Sequence, residues 1–266
     1  MQDYDSSGSH KDGAVEYNYA TTTGDLLSVV EKGEVLGSDA GTYTDTGSDK
    51  RTTTYGYADS GAINLRLPKQ KTIANNGGTR IAESLYTYDN LTFGTTSLGN
   101  LTKQEDWIES TTYASTTSAY NSYGLATSTK DQRSNQTVIT YDSYNLYPAT
   151  VTNALSQSTA YTYDYASGKT KTKIDPNNLA FEWTYDPVGR ITAEKQPDLT
   201  STSTSVTSTA YTYTDGSFPS KVQITKHLSS ATSSDIYRYF DGLGRTISER
   251  AEATGDNTYV VKDFVY

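Results

Sequence analysis

Aromatic and small polar residues alternate along this chain in short runs. Tyr86-Thr87-Tyr88, Tyr161-Thr162-Tyr163, Trp183-Thr184-Tyr185 and Tyr211-Thr212-Tyr213 each place two rings two positions apart. In a strand such residues share one face, and the threonines between them share the other. No segment sustains a helical period. The pattern predicts an all-β chain of repeated antiparallel β-hairpins with no substantial helix.

The turns between runs have their own chemistry. After Trp183-Thr184-Tyr185 comes Asp186-Pro187-Val188-Gly189-Arg190. An Asp side chain can accept from backbone two residues on, Pro presets φ at the second turn position, and Gly supplies φ > 0 at the exit. Ile191 to Glu194 then carries the chain back.

This unit recurs. Tyr4-Asp5-Ser6-Ser7-Gly8 repeats the Tyr-Asp-x-x-Gly form. Tyr57 to Gly61 is a variant, and Tyr88-Asp89, Tyr120 to Gly124, Tyr141-Asp142, Tyr163-Asp164 with Gly168, and Tyr213 with Asp215-Gly216 follow. Phe240-Asp241-Gly242-Leu243-Gly244-Arg245 is a second full copy, and Phe264-Val265-Tyr266 opens another. From Tyr120 through Tyr141 and Tyr163 to Tyr185 the steps are 21 or 22 residues, and later ones are 26 to 28. A period in the twenties marks a repeat array.

These motifs resemble the YD-repeat, or rearrangement-hotspot (RHS) repeat, family, whose pattern is Tyr-Asp-x-x-Gly-Arg followed by alternating apolar residues. The fullest matches are Tyr185, Asp186, Gly189 and Arg190, and Phe240, Asp241, Gly244 and Arg245; the weaker copies cover nearly the whole chain. The resemblance implies a curved or spiralling sheet of hairpins, part of a large hollow shell. It also implies a role in enclosing or presenting a toxin or effector segment, as in polymorphic toxins, on a secreted or cell-surface protein, most often bacterial. Some proteins of this family cut themselves near an Asp-Pro-x-Gly motif at the end of the shell. Here Asp186-Pro187-Val188-Gly189 stands mid-array and reads as a turn.

Composition sharpens the picture. Leu, Ile, Val and Phe make up 43 of 266 residues and the formal net charge is −9. That balance alone leans toward disorder. The 24 tyrosines argue otherwise, because each buries a large ring and needs one partner for its hydroxyl. There is no cysteine, which excludes disulfides, thiolate metal sites and cysteine nucleophiles. No apolar run reaches the ~18 residues of a membrane span, so membrane insertion by this segment is not expected. The start, Met1-Gln2-Asp3-Tyr4, does not read as a signal peptide. A chain that opens and closes within a repeat reads as one array truncated at both ends, with the remaining repeats of its parent as partners.

Within that array, residues 1–60 are irregular, 61–130 carry inserted loops, 131–200 are the most regular, and 201–266 hold longer repeats. After Asp89 the expected glycine is late, and Gly99 to Lys103 reads as a delayed return strand. Leu26 to Val30 reads as a buried strand. Ser201 to Thr209 is low in complexity.

Candidate chemistry is sparse. Asp3, Asp5, Ser7 and Gly8 mimic half of a calcium loop, but the twelfth position is Ala14 rather than Glu. Lys169, Lys171 and Lys173 share a strand face, read as solvated or as guarding a sheet edge rather than as a nucleic-acid patch. His10 and His227 are the only histidines, and neither sits in a catalytic motif. No catalytic, cofactor-binding or metal-binding residue is expected, and the chain is not expected to be an enzyme. Trp107, beside Glu105, Asp106 and Glu109, and Trp183 are the aromatics that could touch a ligand. They carry the alternative function, an adhesive or carbohydrate-binding surface module with glycans as partners.

Overall fold

The structure is a computed structural model that describes residues 2–4, 10–37, 42–197, 205–228, 232–253 and 258–266. Its contacts divide the chain into two compact units, Met1–Val138 and Ile139–Tyr266. The first holds β1 (Gln2–Tyr4), β2 (His10–Tyr19), β3 (Leu26–Gly37), β4 (Tyr43–Asp45), β5 (Arg51–Tyr57), β6 (Pro68–Ala74), β7 (Arg80–Tyr88), β8 (Leu101–Glu109), β9 (Thr112–Tyr120) and β10 (Ala126–Lys130). The division falls within β11 (Gln136–Tyr141). The second unit continues with β12 (Pro148–Thr152), β13 (Ser158–Asp164), β14 (Lys169–Ile174), β15 (Ala180–Tyr185), β16 (Ile191–Pro197), β17 (Ser205–Thr214), β18 (Ser220–His227), β19 (Ser233–Phe240), β20 (Thr246–Glu252) and β21 (Tyr259–Asp263). One 3-10 turn, Gly61–Ile63, is the sole helical element among the described residues.

Each unit is an antiparallel meander. In the first, β5 to β10 pair in succession and β3 pairs with both β2 and β5. In the second, β12 to β21 pair in succession. The expected all-β hairpin array is what the chain forms.

Little of it is buried. Among the described residues the buried apolar side chains are Val35, Ala58 and Tyr88. Leu26 to Val30 forms a strand as expected but is not buried, and Leu27 is 44% exposed. Stability therefore rests on ladder hydrogen bonds and on side-chain pairs between neighbouring strands, each worth ~0.2–1 kcal/mol. On one face these pairs are hydroxyls: Thr162 with Thr172 at 2.7 Å, Thr184 with Thr192 at 2.8 Å, and Thr152 with Ser158 at 2.7 Å. The other face carries the rings.

The delayed return after Asp89 is confirmed, with Tyr88 pairing with Leu101 and Gly99 at φ +88°. The lysine run does not guard an edge, because β14 lies between β13 and β15. Its register puts Lys173 opposite Phe181, whereas a bulge leaves Lys171 between the Thr172 and Thr170 pairs and sets Lys169 opposite Asp164, so the strict alternation expected of the three lysines is broken. His227 ends β18 and is exposed. Of the first repeat copy, Tyr4 ends β1, whereas Asp5 and Gly8, and with them the calcium-loop comparison, lie outside the described residues. So does the low-complexity stretch 201–204.

Candidate functional site

The Asp-x-x-Gly-Arg segment is a hydrogen-bonded latch. In Asp186 to Arg190 the Gly189 N–H donates to the Asp186 carbonyl and the Asp186 N–H donates to the Arg190 carbonyl, both at 2.9 Å. Gly189 has φ +84°, the left-handed conformation that closes a hairpin turn with a bulge. Asp186 Oδ1 accepts from the Val188 and Arg190 N–H groups at 3.1 and 2.8 Å, and Oδ2 accepts from Arg190 Nε at 2.7 Å. Burial opposes charge on Asp186, but these bonds from Arg190 and Val188 win, and the carboxyl lies below its usual range. Asp241 repeats the set with Leu243 and Arg245 at 2.9, 2.9 and 2.7 Å.

The arginine carries the latch to the next repeat. The Arg190 guanidinium stacks over the Tyr213 ring, 4.1 Å from its centroid, and Nη1 pairs with Asp215 at 2.8 Å. Arg245 stacks over Tyr266 at 4.8 Å. A planar cation on an aromatic face is worth ~0.5–1 kcal/mol at exposed sites.

The motif tyrosine reaches the other way. Tyr185 donates its hydroxyl to the Thr170 carbonyl at 2.6 Å, Tyr163 to Pro148 at 3.0 Å, and Tyr213 to Ile191 at 2.9 Å. In the first unit Tyr57 donates to Leu26 at 2.9 Å, Tyr88 to Pro68 at 2.7 Å, and Tyr120 to Leu101 at 2.8 Å. Tyr266 donates to Thr246 at 2.9 Å. One rule covers them all. The acceptor lies one residue past the position that the strand register, continued to the tyrosine, sets opposite it, in the earlier strand with which its own strand pairs. Each motif ring is thus tied to the preceding repeat.

Inserted residues adapt the same latch. Asp89 Oδ2 accepts from the N–H groups of Ser97, Leu98 and Gly99 at 2.8, 2.9 and 3.1 Å and from Thr96 Oγ1 at 2.9 Å, and Oδ1 accepts from the Asn100 N–H at 2.9 Å. Burial works against its charge, yet these bonds hold the carboxyl far below its usual range. Asp142 accepts from the Leu146 N–H and the Tyr165 hydroxyl, and Asp164 from Ser167 Oγ at 2.6 Å. The opposite ends of the hairpins use the same turn without the tyrosine: Asp131, Asn153 and Asp175 each accept from the N–H two and four residues on. The Tyr-Asp motif does not mark these turns, because they lack the ring. An Asp or Asn followed three residues later by Ser or Asn was the available signal.

The two tryptophans differ. Trp107 donates its N–H to the Ser110 carbonyl at 3.0 Å and carries the Arg80 guanidinium on its face at 4.4 Å. Arg80 also pairs with the buried Glu83 at 2.6 Å, which accepts from Gln70, Thr72 and the Tyr113 hydroxyl. The neighbouring acids are engaged as well, Glu105 with Lys103 and Asp106 with Ser84. The face and the N–H of Trp107 are thus both engaged within the chain. Trp183 instead lines a groove of about 600 Å³ with Asp164, Lys169, Lys171, Tyr185 and Val188. Lys169 donates to the Gly189 carbonyl at 2.6 Å and sits over Tyr185 at 5.6 Å.

These features define a β-hairpin repeat protein whose successive repeats are latched in both directions by Asp, Arg and Tyr side chains. Its fold is similar to that of a chain in the crystal structure of TcdB2-TccC3, with a TM-score of 0.61, 11% identity, and coverage of 96% of this chain and 20% of that one. It is also similar to a chain in the crystal structure of TcdB2-TccC3-Cdc42, with a TM-score of 0.53, 15% identity, and coverage of 94% and 13%. The chain thus spans a fifth or less of the length of these structural relatives. No protein-family model matches it, and no curated protein sequence does.

Proposed function

We propose that this chain is a structural repeat module, a wall segment of a larger secreted or cell-surface protein whose hairpins together enclose or present a toxin or effector segment. The carrying observation is the bidirectional latch. Every motif tyrosine with a mapped bond is tied to the repeat before it, and Arg190 and Arg245 are stacked on the repeat after. Such links propagate a sheet from repeat to repeat without a conventional core, which suits a wall. The likeness of fold to the TcdB2-TccC3 chain over 96% of this chain supports the reading, as does the resemblance of the Tyr-Asp-x-x-Gly-Arg motifs to rearrangement-hotspot repeats. In this role the side chains hold structure and carry out no reaction, and the partners are further repeats and the enclosed segment.

Electron microscopy of the full-length parent protein tests the proposal. The expected result is a closed hollow body with density inside. An open, elongated ribbon overturns it.

A further inference from the structure

We propose that Asn76 is a site of covalent self-modification, where the side chain closes on the Gly77 nitrogen to a succinimide that opens to isoaspartate and aspartate. This goes beyond the wall-segment reading and does not rest on it.

The first argument is the nucleophile. Asn76-Gly77 is the sole Asn-Gly step in the sequence. It forms the tip of the hairpin between β6 and β7, where the Gly78 N–H donates to the Asn75 carbonyl at 3.0 Å and the Asn75 N–H to the Thr79 carbonyl at 2.9 Å. Gly78 has φ +77°, so this is the bulged turn found at Asp131, Asn153 and Asp175. It differs from them in one bond. There the leading Asp or Asn oxygen accepts from the N–H groups two and four residues on. Asn75 Oδ1 accepts from the Thr79 N–H at 2.9 Å, whereas the Gly77 N–H has no acceptor among the described residues. The nitrogen that must attack is therefore unengaged, and it carries no Cβ to crowd its approach.

The second argument is the electrophile. Asn76 is exposed, and its carboxamide makes no hydrogen bond among the described residues. Asn121 and Asn153 also precede small residues, Ser122 and Ala154, but each fixes its side-chain oxygen on two backbone N–H groups at 3.0 Å. Asp241-Gly242 is held by Leu243 and Arg245, and Asp215-Gly216 by Arg190.

The reaction needs water alone. A bond forms between the Gly77 nitrogen and Asn76 Cγ, the Cγ–Nδ2 bond breaks, and the displaced proton leaves with the nitrogen as ammonia. Water then opens the ring. Cleavage at Cγ gives aspartate, and cleavage at the Asn76 main-chain carbonyl gives isoaspartate, with the backbone rerouted through Cγ. Both products add a negative charge, and isoaspartate lengthens a turn that leads directly into Arg80, the residue stacked on Trp107 and paired with Glu83.

The structure also supplies the control. The Gly77 φ is not left-handed, and a Cβ there would meet Asn75 Oδ1 at 3.6 Å, an ordinary contact. Gly77→Ala thus fits the turn while hindering the attack. The test is prolonged incubation of the full chain in mildly alkaline buffer, with peptide mapping by mass spectrometry. Isoaspartate is counted by methyl transfer from S-adenosylmethionine with an isoaspartyl methyltransferase, and circular dichroism verifies folding. The expected result is conversion at Asn76 about tenfold or more faster than at Asn121 and Asn153, with isoaspartate among the products, and suppressed to a similar degree in Gly77→Ala. An amide at Asn76 that outlasts those of Asn121 and Asn153 overturns the proposal. So does conversion to aspartate without isoaspartate, or an unchanged rate in Gly77→Ala. If Gly77→Ala fails to fold, Asn76→Gln decides, because its longer side chain would have to close a larger, slower-forming ring, and methyl transfer undiminished in that variant places the isoaspartate elsewhere.

Discussion

The tyrosine rule makes a paired prediction. Tyr88 is 5% exposed and donates its hydroxyl to the Pro68 carbonyl at 2.7 Å. Tyr88→Phe keeps the ring and removes only this bond. A typical net hydrogen bond contributes ~0.5–1.5 kcal/mol, and an acceptor left buried without a donor costs ~1–3 kcal/mol. The expected loss is therefore about 1–2 kcal/mol. With urea slopes of ~1–3 kcal/mol/M, that lowers the unfolding midpoint by roughly 0.3–2 M at unchanged slope, followed by circular dichroism. Phe240 is the mirror case. It holds the motif position without a hydroxyl and pairs with Ser220, so the rule sets its missing acceptor at the Lys221 carbonyl. Phe240→Tyr should raise the midpoint by an amount corresponding to about 0.5–1.5 kcal/mol. Tyr123, 71% exposed, serves as the control, and Tyr123→Phe should leave the midpoint unchanged. Equal effects of Tyr88→Phe and Tyr123→Phe, together with no gain from Phe240→Tyr, would refute the latch.

Other predictions follow from the turn carboxylates. Asp89→Asn leaves one acceptor oxygen where two take bonds from Thr96 to Asn100, so a loss of ~1.5–3 kcal/mol and faster amide exchange at Ser97 to Asn100 are expected; unchanged protection there contradicts the assignment. The carboxyls of Asp89, Asp142, Asp164, Asp186 and Asp241 all titrate below their usual range in the folded chain. Their stabilisation is thus complete above the unfolded value, ~3.9 for Asp, and is lost as pH falls through the folded values. Acid unfolding should begin below about pH 4, with a shallower pH slope in Asp186→Asn/Asp241→Asn, and stability flat from pH 5 to pH 2 would contradict this. Burial beside Asp235 pushes the Tyr237 phenol up to about 12. Its share of stability is present below the unfolded value, ~10, and fades as pH rises toward 12, so ultraviolet titration should show a late phenol that disappears in Tyr237→Phe. Arg80→Ala leaves Glu83 with neutral partners only, so its carboxyl should titrate higher and the variant should lose ~1–3 kcal/mol at neutral pH but less in acid; an equal loss at both pH values argues against the ion pair.

What was legible from the sequence was whatever chemistry acts within a few residues. Tyr185-Asp186-Pro187-Val188-Gly189-Arg190 specifies strand, turn and return because its bonds run from Asp186 to Val188 and Arg190, two and four positions away. Alternation of Tyr with Thr sets two unlike faces for the same local reason. The late return after Asp89 could also be read, although the wrapping of its carboxylate by five consecutive residues could not. Contacts between strands needed the tertiary structure, because register decides them. Only pairing shows that the Tyr185 hydroxyl meets the Thr170 carbonyl, that Lys173 of β14 lies opposite Phe181, and that Arg190 stacks on Tyr213. The tryptophans show the division most clearly. Their local sequences made Trp107, set among acids, as good a ligand contact as Trp183, yet Arg80, 27 positions away in the chain, covers the first while the second lines a groove with Lys169 and Lys171 of β14. A side chain's partners across a sheet depend on register, and register is a property of the assembled sheet.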